Sequence, residues 1–218
     1  MAHNFGSLLF TPAVKALQER HGSRRQYARF EAEASRDRLG PDEKAFLAAR
    51  DSFYIASVGS TGWPHVQHRG GPPGFIKVLD DSTLAFANFR GNKQYISMGN
   101  LSTDDRVALI FVDYPAQARL KLLGHAEVFD LHGPKANAAK ALLACVRHPD
   151  YKAEPESVFV IHVEAFDWNC PQHITPRYTK DQIQEAVAPL EKRLQELEQE
   201  NRTLRQKLAE RYPAHPSG

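Results

Sequence analysis

Residues 53–89 read FYIASVGSTGWPHVQHRGGPPGFIKVLDDSTLAFANF. FYIASVG has the aromatic and β-branched content of a strand, GSTGW supplies a tight turn, and PHVQH returns as the hairpin partner. After the glycine- and proline-rich RGGPPG, the segments FIKVLD and TLAFANF repeat the pattern around the turn DDS. Hairpin turns join antiparallel neighbours, whereas a doubly wound fold needs a helix at nearly every crossover.

Downstream, RVALIFVDY, RLKLLGHAEVFD and SVFVIHVEAFDWN add three more strand-like runs. Only two helical stretches intervene, one within FRGNKQYISMGNL and one in GPKANAAKALLACVRH. The expected fold is therefore mainly β, an antiparallel barrel with flanking helices. Upstream, GPDEKAFLAARD reads as a helix, with Pro41 early and acids in its first turn.

At 218 residues the chain can bury one domain and carry an appendage. Its 42% hydrophobic and 25% charged content is that of an ordinary globular protein. A net charge of +2 gives no footprint for nucleic acid. The one basic cluster, RHGSRRQYARF, is diluted by EAEASRDR and reads as a solvated surface arm. Two cysteines, Cys145 and Cys170, make no disulfide framework, and Cys145 in ALLACV reads as a core residue. No apolar run approaches the roughly 18 residues that span a bilayer, and no signal-peptide core opens the chain, so a cytoplasmic protein without a membrane partner is expected.

The expected organisation is a helical arm over residues 1–40, a barrel over 41–178, a helix over 179–212 and a frayed tail over 213–218. In the last helix Ile183, Val187, Leu190, Leu194, Leu197, Asn201, Leu204 and Leu208 alternate at spacings of four and three. That is the seam of a coiled coil, with Asn201 at an a position that favours a parallel pair. The competing reading is an amphipathic helix lying on its own domain. Pro189 marks either the first turn of the long helix or a kink.

The stretch RGNKQYISMGNL (90–101) places Arg90, Gly91 and Lys93 where a strand gives way to a helix. A helix start exposes unpaired N–H groups and favours anions. Arginine adds a planar fork, lysine a point charge, and glycine a close backbone approach. A phosphate seat is one reading and a plain capped helix the other.

Three segments, WPHVQHRGGPPGF, FRGNKQYISMGNL and WNCPQHITPRY, closely resemble the pyridoxamine 5'-phosphate oxidase-like proteins, the FMN-binding split β-barrels. The resemblance covers about residues 41–178 and implies an antiparallel, Greek-key-like barrel that binds FMN between two copies of the chain. It implies that Arg69 runs beside the flavin towards its phosphate or ribityl chain, with Gln67, His68 and Asn88 nearby. Asn92 and Lys93 fall on the family's phosphate positions; Asn92 stands where a second arginine is common, so Arg90 is the candidate to replace it. Arg119 corresponds to a contact from the neighbouring subunit, and Gln172, His173 and Arg177 to the segment that completes the pocket. His68 and His173 are the candidates to orient or protonate substrate.

The implied activity is two-electron transfer between NADH, NADPH or a small organic substrate and an acceptor, through FMN in a homodimer. The substrate-phosphate signature of vitamin B6 oxidation is not evident in the sequence. A flavin-binding carrier or sensor without turnover is the alternative, and haem binding a third. Cys170 and His173 with His162 could form a zinc site, but only three ligands can be named; no metal is expected. A Cys–His nucleophilic pair is the other use of Cys170.

Overall fold

The computed structural model describes residues 4–32, 37–169 and 171–211. Cys170 and the expected frayed tail lie outside those residues. The chain divides into two compact units, Met1–Ile174 and Thr175–Gly218.

The first unit is built on seven strands: β1 Ser52–Val58, β2 Pro64–Gly70, β3 Ile76–Asp80, β4 Thr83–Phe89, β5 Arg106–Asp113, β6 Ala118–Asp130 and β7 Pro155–Asn169. They form one sheet in the order β2-β1-β5-β6-β7-β4-β3. Every ladder is antiparallel, as the hairpin turns of the sequence predict. The edge strands β2 and β3 are not joined by a ladder, so the barrel is split.

Phenylalanines fill the barrel because alternate residues of each strand face inward. Phe53 stacks on Phe111 at 4.9 Å, and Phe86 on Phe159 at 5.2 Å between ring centroids. All four rings are buried, each contributing roughly 1.5–3 kcal/mol relative to exposure. The β6–β7 ladder shifts register between Leu123 and Gly124. A Cβ at Gly124 would collide with the backbone carbonyl oxygen of His162, so close strand approach requires glycine there.

Helix α1 (Phe5–Leu9), α2 (Pro12–Arg20) and α3 (Arg24–Ala32) form the N-terminal arm. The basic cluster expected as a solvated arm is thus largely the helix α3, which has no buried residue but is tied down at its C-terminal end. Asn4 Nδ2 donates to the carbonyls of Phe30 and Glu31, each at 2.9 Å. Lys15 Nζ lies 2.7 Å from Glu31, which also pairs with Arg24. Helix α4 (Pro41–Ala48) starts at Pro41 with Asp42 and Glu43 in its first turn, as read from the sequence.

Helix α6 (Ala136–Val146) corrects one expectation. It packs through Ala139, Leu142, Leu143 and Val146, a single helical face. Cys145 falls off that face and is exposed, not a core residue.

The second unit contains α7 (Lys180–Arg211), a single 32-residue helix. It neither begins at Pro189 nor breaks there. Pro189 leaves the carbonyl of Glu185 without its helical donor, and both residues are solvent-exposed, so water satisfies that group. No described helix is long and apolar enough to cross a membrane.

Candidate functional site

The inward face of β2 carries Gln67 and Arg69, while Val66 and His68 point to the other face. Arg69 is half-buried at the edge of the barrel. Its Nη1 donates to Asn88 Oδ1 at 2.6 Å, and its guanidinium lies 5.2 Å from the Phe159 ring centroid. Burial pulls its pKa below the ordinary guanidinium value, yet arginine keeps its proton in proteins. No carboxylate pairs with it among the described residues, and its Nε is buried without a hydrogen-bond partner.

A partly desolvated cation with no carboxylate partner is stabilised when an anion reaches its accessible side. Arg69 opens onto a cavity of about 220 Å³ shared with Gln67, Asn88, Asn92 and Lys93. Five residues singled out in the sequence are thereby brought together. The wall between β4 and helix α5 (Ile96–Leu101) is an irregular loop. Lys93 has φ 59° and Tyr95 φ 54°, left-handed values that cost a non-glycine residue roughly 1–2 kcal/mol. Strained backbone of this kind clusters where ligands bind. Asn92 Oδ1 accepts from Gln94 N at 3.2 Å and holds the turn.

The helix begins at Ile96, later than the sequence suggests. Lys93 therefore precedes it and offers its charge from the strained loop instead of the first helical turn. Gly91 lines the cavity, and a Cβ there would meet no protein atom within 4 Å. The protein's own packing does not require glycine at that position.

A larger cavity, about 530 Å³, lies between α5 and β6–β7 and includes His125, Asp105, Glu127 and His162. Three of its charged or polar groups are paired: His125 Nδ1 lies 2.8 Å from Asp105 Oδ1, and Lys135 Nζ 2.5 Å from Glu127. Size favours this cavity, but the half-buried cation without a carboxylate partner makes the smaller one the chemical candidate. His162 lies here, and no group of three metal-ligating side chains converges among the described residues.

The sequence pattern described as "Pyridoxamine 5'-phosphate oxidase" matches residues 39–169, more than half of the chain. The chain belongs to the pyridoxamine 5'-phosphate oxidase family. Similar solved structures include HupZ of Group A Streptococcus (18% identity, 64% of this chain and 99% of that one, TM-score 0.45). Another is a protein related to general stress protein 26, of the pyridoxinephosphate oxidase family, from Clostridium acetobutylicum (17%, 65% and 94%, TM-score 0.39). A third is HutZ, the heme storage protein of Vibrio cholerae (15%, 60% and 94%, TM-score 0.38). No curated protein matches the sequence.

The remaining residues named from the resemblance to the pyridoxamine 5'-phosphate oxidase family do not line the cavity within one chain. Arg90 is the clearest departure. Its Nη1 lies 2.7 Å from Glu154 and its Nε 3.0 Å from Glu156, and Glu156, then Glu154, holds its pKa above the ordinary value. Arg90 pairs with these two carboxylates and does not line the cavity of the single chain. His68 is exposed on the opposite face, 5.4 Å from the Tyr54 ring. Gln172 and His173 are exposed in the segment after β7, which Gln117 Nε2 ties down by donating to Ile174 O at 2.6 Å. Arg119, on β6, has a buried Nε with no partner. Arg177 belongs to the second compact unit.

Sequence reasoning missed Glu156, which occupies Arg90, and Ser157, which accepts from Asn88 Nδ2 at 3.0 Å. A signal existed. Asn88 in TLAFANF and Ser157 at the start of SVFVIHV are polar interruptions of apolar strands, and they are cross-strand partners in the β4–β7 ladder.

Proposed function

We propose that this chain is an FMN-dependent oxidoreductase acting as a homodimer, with the cofactor's phosphate held by Arg69, Lys93 and Asn92. The observation that carries the reading is Arg69, a half-buried arginine with no carboxylate partner among the described residues, which lines a polar cavity together with Lys93 and Asn92. Arginine's planar fork matches phosphate oxygens, and Lys93 adds a second positive charge. Asn88 fixes the orientation of Arg69 and is itself fixed by Ser157. When bound, FMN supplies two-electron chemistry between a reduced nicotinamide or small organic substrate and an acceptor or oxygen.

Two observations support a second copy at the site. A cavity of about 220 Å³ is smaller than the roughly 300–1,000 Å³ that encloses a drug-sized ligand, so one chain surrounds only part of the cofactor. The outer face of β1–β2 also exposes Tyr54, Val58 and Val66, at 41%, 39% and 63%, around Ala56. An apolar patch of this kind marks an association surface. In a pair of barrels, Arg119, Gln172 and His173 would approach the cavity from the other subunit. His173 and His68 would then orient substrate or move its proton.

A flavin carrier without turnover is favoured by one specific observation: among the described residues, no histidine lines the cavity of a single chain. The readings separate when FMN-loaded protein is mixed anaerobically with NADH or NADPH and then exposed to air. Loss of the visible flavin absorption followed by its return supports the oxidoreductase. Unchanged absorption with every reductant supports the carrier.

A further inference from the structure

Helix α7 is about 48 Å long at 1.5 Å per residue. Its apolar stripe is uncovered: Leu190 is 70% exposed, Leu194 58%, Leu197 45% and Leu204 57%. Such a stripe on an otherwise polar helix is stable in water only when another surface covers it. A concavity of about 420 Å³, lined by Leu197, Asn201 and Arg205, interrupts the stripe.

We infer that this stripe is covered by α7 of a second copy, as a parallel, in-register, two-stranded coiled coil. The charges flanking the stripe are self-complementary. In parallel register Arg193 meets Glu198 of the partner subunit, and Glu200 meets Arg205 of the partner subunit, each contact occurring twice by symmetry. Within one chain Arg193 Nη1 bridges Glu196 at 3.1 Å, with both side chains more than half exposed, so little holds it from the partner. Asn201 decides direction. In a parallel pair it faces its own counterpart, and the two amides can hydrogen-bond. In an antiparallel pair a positions face d positions, and Asn201 would be buried against Leu190 without a partner. Pro189 lies on the outward side of this seam and does not obstruct it. The inference rests on α7 alone and is independent of the flavin reading.

The test is disulfide trapping in the full-length chain carrying Cys145→Ser and Cys170→Ser. With Leu204→Cys, mild oxidation is expected to convert most of the protein to a covalent dimer. With Gln206→Cys, on the outward face, little should form. Adding Glu198→Arg to the Leu204→Cys chain should slow trapping about tenfold, and adding Arg193→Glu as well should restore it. Equal trapping at positions 204 and 206 overturns the proposal. So does linkage of Val187→Cys chains to Leu204→Cys chains in place of self-linkage, since that is the antiparallel register.

Discussion

Arg69 Nη1 donates to Asn88 Oδ1 at 2.6 Å, joining β2 to β4, two strands that share no backbone ladder. The contact spans the split in the barrel and aims a cation into the cavity. Asn88 is buried and its amide is used at both ends. Asn88→Ala is therefore expected to lower stability by about 1–3 kcal/mol, because it strands a half-buried guanidinium and a buried hydroxyl together. Urea unfolding measures the loss.

Arg69→Ala should weaken FMN by roughly 10- to 100-fold, the range of about 1.5–3 kcal/mol for a charged hydrogen bond. Arg69→Lys should fall between the two, because it keeps the charge and loses the fork. Fluorescence titration with FMN ranks the three proteins.

Gly91→Ala separates ligand contact from packing. A methyl group there meets no protein atom within 4 Å, so stability should stay within about 0.5 kcal/mol of the parent. FMN affinity should nevertheless fall if the ligand approaches the backbone at this loop. Unchanged affinity would place the cofactor away from Gly91.

Arg90 and Lys93 should behave differently despite their proximity. Lys93→Ala removes a charge facing the cavity and should weaken FMN by itself. Arg90→Ala acts indirectly, by releasing Glu156, a residue of the cavity wall. Its smaller effect should disappear in Arg90→Ala/Glu156→Gln. Equal, additive losses for Arg90→Ala and Lys93→Ala would instead assign Arg90 to the phosphate.

Three carboxylates, Asp104, Asp80 and Glu31, are held below the ordinary range, and Asp104 is the most strongly shifted of them. Hydrogen bonds from the Arg106 side chain and backbone lower Asp104 from 3.8 to about 2. A depressed carboxylate stabilises the folded state above its unfolded value near 3.8, and that contribution fades as pH falls towards about 2. Asp104→Asn should therefore flatten the stability profile between pH 4 and pH 2. Urea midpoints across that window give the comparison.

The barrel was legible because each of its strands has turn residues beside it and apolar alternation within it. The Phe53-to-Phe89 stretch alone fixes two hairpins. The cavity was partly legible: Arg69, Asn88 and Lys93 lie on or beside strands whose ends the pattern locates. Arg90 was not, because its fate depends on Glu154 and Glu156, more than sixty residues away in sequence. Cys145 shows a second limit. An apolar helix does not reveal which face packs until its neighbours are known, and α6 turns the Ala139–Val146 face inward. Helix α5 shows a third, since left-handed Lys93 and Tyr95 delay its start and neither residue type announces that conformation.

The central claim is that Arg69 and Lys93 form a seat for a flavin's phosphate. Titrating the purified protein with FMN and, in parallel, with riboflavin tests it most directly, because the two ligands differ only in that group. FMN is expected to bind at micromolar concentration or tighter, about −8 kcal/mol, with riboflavin at least about 100-fold weaker and the difference abolished in Arg69→Ala/Lys93→Ala. Equal affinity for the two flavins, or no uptake of FMN at micromolar excess, would contradict it.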